Sequence, residues 1–281
     1  MRRGLIIIVC MSAPTACSLL VDTSGLVGRP AVAPETSVTD ANVDDTRTDA
    51  TPDADTDGSA YRSVVLADKP LVYLRLGEKT GSIAVDEVGA HTATYAGSFD
   101  LGAKGLVGEN DTALHLRRFG AVEVVAADLD VSGRKPFSIE IWFSVESDDG
   151  EYHHLYSRQI PGSATRRGVG MYVYGRELTV ERHQDGVANG AYAGADNFVD
   201  IGKTIHAVAT YDGSTLSLFA NGTKRGSKAD SRTMDPVDRP AYVGSTNTND
   251  GTVVGVIDEL AFYDHALDPA RILAHYAAGT K

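Results

Sequence analysis

Between Ile205 and Gly222 the alternation of apolar and polar residues spells out two strands and two tight turns. Ile205 to Tyr211 is apolar at most positions and ends at Asp212-Gly213; Ser214 to Ala220 follows and ends at Asn221-Gly222. Both dipeptides favour the positive φ angles of hairpin turns, so the pattern predicts a β-meander. In the second run Leu216, Leu218 and Ala220 alternate with Thr215, Ser217 and Phe219, which puts one face in a core and leaves the other mostly wet. The first run, with Ile205, Ala207, Val208, Ala209 and Tyr211, suits a strand covered on both faces.

The same reading extends along the chain. Phe137 to Val145 is the clearest single strand: Phe137, Ile139, Ile141, Phe143 and Val145 point one way, and Ser138, Glu140, Trp142 and Ser144 the other. Further strands are predicted at Leu71 to Leu76, Leu155 to Arg158, Gly170 to Tyr174, Glu177 to His183, Pro240 to Gly244 and Val253 to Tyr263. Glycines from Gly81 to Gly108 suit short strands and loops rather than helices. One helix is expected, at the end: Asp268 caps it, Pro269 takes its first position, and Gly279 follows Ile272, Leu273 and Tyr276. It is expected to pack on the rim. Short strands spaced by turn residues predict an all-β sandwich or barrel, with no internal repeat.

Composition changes this picture at the N-terminus. Arg2 and Arg3 precede the short apolar run Leu5 to Met11, so residues 1–16 read as an export signal; the run is far below the roughly 20 residues that span a bilayer. Thr15-Ala16-Cys17 resembles the end of a bacterial lipoprotein signal, which implies lipidation of Cys17, although Pro14 stands where such signals usually carry Leu. Ser18 after it, rather than Asp, implies an outer-membrane lipoprotein or cell-surface location. Residues 17–60 then read as a tether: Pro30, Pro34 and Pro52 with many Thr and Ala, and seven Asp and one Glu from Glu35 to Asp57 against the single basic Arg47. Such a like-charged, weakly apolar segment is expected to stay unfolded and extended. The domain is drawn as 61–281, long enough to bury roughly 70% of its unfolded surface without staples. Both cysteines, Cys10 and Cys17, precede it. A net charge of −12, with no cluster of Lys and Arg, excludes nucleic acid as a partner.

Several pieces, taken in order, carry a resemblance: Leu71–Glu78 (LVYLRLGE), Pro136–Trp142 (PFSIEIW), Ser157-Arg158, Gly170–Val173 (GMYV), His206–Gly213 (HAVATYDG), Leu216–Gly222 (LSLFANG), Val256–Asp264 (VIDELAFYD) and His275–Gly279 (HYAAG). Together they resemble the bacterial laminin-G-like, concanavalin A-like jelly-roll family over about two hundred residues. The resemblance implies a two-sheet antiparallel jelly-roll sandwich with a short C-terminal helix. It also implies a structural Ca²⁺ at the sandwich edge, with Asp258 in the last long strand and Asp86, in the acidic loop before Gly89, as ligands.

Three functions were weighed on the residues. Sugar rings need planar aromatics and polar tips on one sheet face. Tyr172 and Tyr174 alternate with Met171 and Val173 and so face away from a core, and Tyr152, His154, Arg158 and His183 lie on neighbouring predicted segments; these six are the candidate ligand-binding residues, and a glycan is the first partner. The alternative is an adhesion or scaffold domain that docks an envelope protein. Glycoside hydrolysis needs paired carboxylates about 5 Å apart in the retaining case, and the strand that would supply them has only Glu140 on its polar face. The expectation is therefore a non-catalytic recognition module outside the cytoplasm, touching the membrane only through a lipid.

Overall fold

The computed structural model describes residues 59–160, 166–184, 190–247 and 251–281. The signal, Cys17 and nearly all of the 17–60 tether lie outside the described residues. In chain order the elements are α1 (Ser59–Ala67), β1 (Val72–Leu74), β2 (Ile83–Ala84), β3 (Thr92–Ala96), β4 (Phe99–Lys104), β5 (Thr112–Leu116), β6 (Ala121–Val125), β7 (Phe137–Val145), β8 (Tyr152–Ile160), β9 (Arg167–Tyr174), β10 (Glu177–His183), β11 (Ala191–Ala195), β12 (Ile205–Tyr211), β13 (Thr215–Ala220), β14 (Thr223–Ala229), β15 (Ala241–Val243), β16 (Gly255–Tyr263) and α2 (Pro269–Gly279).

The strands form two eight-stranded sheets. One runs β14-β13-β12-β7-β16-β5-β4 with β1 also on β16; the other runs β11-β10-β9-β8-β15-β6-β3-β2. The pairings are antiparallel, as in β7 with β12, where Glu140 faces Val208, and β7 with β16, where Glu140 faces Ala261. The predicted sandwich is what forms, and each predicted strand lies within or across an observed one. Phe137, Ile139, Ile141, Phe143 and Val145 face inward against Tyr156, Val169, Met171, Val173, Leu178 and Val180 of the opposite sheet, all buried in one apolar core. Alternation puts all five on one side, so a single strand supplies a wall of that core.

The outer face of β7 is buried as well, which its polar residues did not foretell. All nine residues of β7 are inaccessible, because two helices lie over this sheet, where the sequence predicted one. The unforeseen α1 begins at Ser59, two residues before the boundary drawn from composition. It is held by tertiary contact: Tyr61 and Val65 join Trp142, Val208, Phe219, Tyr263 and Ile272 in a second apolar cluster. Phe219, on the face of β13 expected to be wet, is only 4% exposed for the same reason.

Helix α2 starts as predicted, with Asp268 accepting from Ala270 N and Pro269 at the first position. It lies across the outer sheet face rather than on the rim, and Tyr276 stacks on Trp142 at 6.0 Å. Gly279 belongs to the helix instead of following it, and it is glycine where a Cβ would collide with the Trp142 indole.

At the centre of this layer sits Glu140, fully buried. Tyr61 Oη donates to its Oε1 at 2.7 Å and Tyr263 Oη to its Oε2 at 2.8 Å. His206 Nε2 lies 2.7 Å from Oε1, and His275 Nδ1 2.9 Å from Oε2. His275 Nε2 meets Asp68, just after α1, at 2.7 Å, and Arg271 of α2 pairs with the same carboxylate. Burial alone would raise the Glu140 pKa, but the charge and hydrogen bonds of His275 and His206 outweigh it and hold the carboxyl well below its usual range. Burial works against the His275 charge too, yet Glu140 and Asp68 raise its pKa.

A depressed carboxylate stabilises the fold above its ordinary 4.5 and loses that contribution as pH falls through the folded value. A raised histidine stabilises it below its ordinary 6.5 and loses the contribution as pH rises through the folded value. Both contributions are complete between 4.5 and 6.5. Urea unfolding of Glu140→Gln is therefore expected to show a loss of about 3–5 kcal/mol within that window, with the difference from wild type shrinking on either side.

Candidate functional site

The outer face of the other sheet is open, and a recess of about 490 Å³ lies on it. Its floor comes from β8 to β11 and its rim from residues 118–119, 149–151 and 246–254, leaving aside those outside the described set. The volume lies in the range of small-ligand sites. Cross-strand register assembles the floor: Tyr152 faces Tyr174, His154 faces Tyr172, and Tyr172 faces Thr179, while Gly170 faces Glu181 and Glu181 faces Tyr192. Strand alternation directs these side chains outward because Val169, Met171 and Val173 enter the core.

The aromatic part is a contiguous cluster. Tyr152 stacks on Tyr174 with centroids 4.5 Å apart, meets Tyr172 edge-on at 5.2 Å, and has His154 at 6.2 Å; His154 lies 5.4 Å from Tyr172. Tyr152 and Tyr192 remain 48% and 45% exposed, so ring faces and hydroxyls are available to a ligand. The polar part sits above Gly170, which leaves room for Gln159 to cross. Gln159 Nε2 donates to Glu181 Oε1 at 2.7 Å; His183 Nε2 lies 3.0 Å and Arg166 Nη1 3.4 Å from Glu181 Oε2. Burial pushes the Glu181 pKa up, but His183, Gln159 and Arg166 hold the carboxyl below its usual value, so the floor carries an ionised carboxylate that fixes the Gln159 amide and the Arg166 guanidinium beside it.

Of the six residues singled out from the sequence, Tyr152, His154 and Tyr172 line the recess. Tyr174 stacks just beyond it, and His183 stands behind, orienting Glu181 and contacting Tyr192 Oη at 3.2 Å. Arg158 does not take part. It is 7% exposed and donates to the carbonyls of Ala126, Leu129 and Val237. The cause is a bulge between His154 and Tyr156: the extra residue flips every later side chain to the opposite face. Tyr156 and Arg158 therefore turn away from the recess and Gln159 turns toward it. Glu181 and Tyr192 were legible by alternation with Val180 and with Ala191 and Ala193, whereas Phe119, Arg118 and Arg166, which also line the recess, lie outside any strand pattern that pointed to it.

Glu140, the sole acid on the strand weighed for hydrolysis, lies on the other sheet beneath the helices, with both oxygens engaged. It cannot touch a ligand in the recess.

The residues proposed for metal also separate. Asp86 Oδ1 accepts from Tyr73 N and Val88 N, and Oδ2 accepts from Ala90 N and His91 N and meets His91 Nδ1. It is spent on folding its own loop onto β1. Asp258 instead meets Asp111 and Glu259, with ligand atoms all within 4.8 Å of one another. Neighbours on a strand normally point to opposite faces; here a bulge at Asp258–Ala261 and a left-handed Glu259 (φ 53°) bring two successive carboxylates together. Arg75 donates to Glu259 at 3.1 Å and Asp111 at 3.1 Å, and Tyr73 Oη donates to Glu259. Asp258 Oδ2 accepts from Leu106 N at 2.8 Å, while the fully buried Oδ1 has no partner among the described residues.

Burial, then the charges of Glu259 and Asp111, raise the Asp258 pKa well above the carboxylate range. Burial pushes Glu259 up to about 8 against the pull of Arg75. The raised values mean that Asp258 and Glu259 hold protons when no cation is bound, and an orphaned buried oxygen among three carboxyl groups is a set of hard oxygen donors, which fits Ca²⁺ better than metals that prefer thiolate or imidazole.

Two antiparallel sheets packed face to face, with an aromatic recess on the outer face of one, define a jelly-roll sandwich of the lectin type. The chain belongs to the concanavalin A-like lectin/glucanases superfamily, whose Laminin_G_3 model matches residues 119–273. Among solved structures it is similar to domain 4 of AbnA, a GH43 extracellular arabinanase from Geobacillus stearothermophilus, in complex with arabinotriose: 16% identity and a TM-score of 0.56 over 74% of this chain and 98% of that one. It is also similar to the ligand binding domain of botulinum neurotoxin serotype D in complex with N-acetylneuraminic acid, at 14% identity and a TM-score of 0.60 over 78% of this chain and 52% of that one. The binding domain of botulinum neurotoxin DC in complex with SialylT gives 14% and 0.57, over 75% and 52%. The chain thus spans about half the length of the neurotoxin domains. A comparison with curated proteins finds no match.

Proposed function

We propose that the chain is a non-catalytic carbohydrate-recognition module that binds a neutral glycan in the β8–β11 recess. The observation that carries this is the joining of a tyrosine cluster to an ionised, hydrogen-bonded Glu181–Gln159 floor. Aromatic faces stack on the C–H faces of sugar rings, and a fixed carboxylate with an amide beside it reads neighbouring hydroxyls. The lining holds Asp149, Glu151 and Glu181 against Arg118 and Arg166, and the chain carries −12, so an acidic sugar meets net repulsion. That two of the similar structures hold arabinotriose and N-acetylneuraminic acid supports a sugar as the ligand class. The module belongs, on this reading, outside the cytoplasm on a lipidated Cys17, supported by the signal-like residues 2–17. Asp258, with Asp111 and Glu259, would hold a structural Ca²⁺ that takes the place of the protons on Asp258 and Glu259.

A glycan array is expected to report neutral saccharides, with affinity falling about tenfold for Tyr172→Ala and for Tyr152→Ala. Silence on the array together with capture of an envelope protein would assign the scaffold role instead. Calcium is expected to raise the melting temperature of the chelator-treated wild type and to leave that of Asp258→Asn unmoved, read by differential scanning fluorimetry. In cells, Cys17→Ser should shift the protein from the membrane pellet to the soluble fraction.

A further inference from the structure

The turn between β5 and β6 contains a residue that neither local conformation nor core packing accounts for. Gly120 N donates to Arg117 O at 2.8 Å, closing a four-residue turn in which Phe119 occupies the third place with φ 70°. Turns of that form reserve the place for Gly or Asn, because a side chain in left-handed backbone is strained. Phe119 is nevertheless a large apolar residue, 47% exposed and absent from both apolar clusters. The turn is held in place from both sides: Arg117 N donates to Ser98 O at 3.0 Å and Phe119 N to Thr252 Oγ1 at 3.3 Å. Gly97 lies so close beneath that a Cβ would collide with Phe119 O. Arg118 lies over the Phe119 ring at 5.3 Å, and both residues line the recess. Backbone strain at an exposed residue that lines a recess points to a use by a ligand.

We infer that Phe119 is a second stacking platform of the recess, and that its ligand is therefore an oligosaccharide of at least two residues. One ring rests on the Tyr152–Tyr172 floor, and a following ring lies on Phe119, which projects from the β5–β6 turn, separate from the strands that carry the tyrosines. The inference rests on the carbohydrate reading of the same recess and adds ligand length and a specificity-determining residue to it.

Isothermal titration of the full chain with arabinose, glucose, arabinotriose, cellotriose and maltotriose, alongside thermal melts, tests it. The result expected is that Phe119→Gly, which relieves the turn, leaves the melting temperature unchanged or higher. The same change should weaken the trisaccharide that binds wild type about tenfold, leave monosaccharide binding as it was, and be rescued by Phe119→Tyr or Phe119→Trp. A lower melting temperature with trisaccharide affinity unchanged would make Phe119 a structural residue, and equal loss for monosaccharide and trisaccharide would remove the second platform. Either result leaves the recess as a sugar site, whereas a wild type that binds none of the five sugars overturns the carbohydrate reading and this inference together.

Discussion

The architecture depends on one buried carboxylate. Glu140 receives donors from α1, β12, β16 and α2, and through His275 it reaches Asp68 beyond the end of α1. A charge without water is tolerated only when its lone pairs are engaged, so the helices are positioned by polar geometry as much as by the apolar contacts of Tyr61, Val65 and Ile272. The consequence for function is indirect but decisive. The helices cover the centre of one sheet, the aromatic recess lies on the outer face of the opposite sheet, and the acid that a glycanase comparison would have selected is committed to structure.

In both sheets, small departures from regular pairing choose the residues that matter. The bulge in β8 removes Arg158 from the recess and supplies Gln159; the bulge in β16 brings Asp258 and Glu259 to one side, where alternation would have parted them. Gly170 acts by omission, leaving space above its backbone for Gln159 to reach Glu181. These features hold the recess in shape before any ligand arrives, which limits the entropy lost on binding.

Two of the left-handed non-glycine residues, Phe119 and Glu259, lie at the recess and at the acidic cluster. Each places a side chain where an ideal turn or strand would not. The two sites belong to different sheets and different chemistries: one offers ring faces with an ionised floor, the other an excess of carboxylate oxygen in a water-poor setting. The family accommodates both because the sandwich framework is carried by inward-facing apolar residues, which leaves loops and outer faces open to specialisation.

The sequence by itself determined the strands and the class of fold. A period of two is set by backbone geometry, so Phe137 to Val145 and the meander from Ile205 to Gly222 declare their faces without reference to the rest of the chain. It also pointed to Tyr172, because alternation with Met171 and Val173 told which side of β9 it occupies, and to Tyr152 and His154 on a neighbouring segment. Tertiary structure alone decided that α1 exists, that Glu140 is buried, that Asp86 and Asp258 serve different ends, and that Arg158 turns away. The physical reason is common to all four: a short helix held by tertiary contact, a desolvated charge and a register slip are settled by partners far along the chain, and no local pattern encodes them.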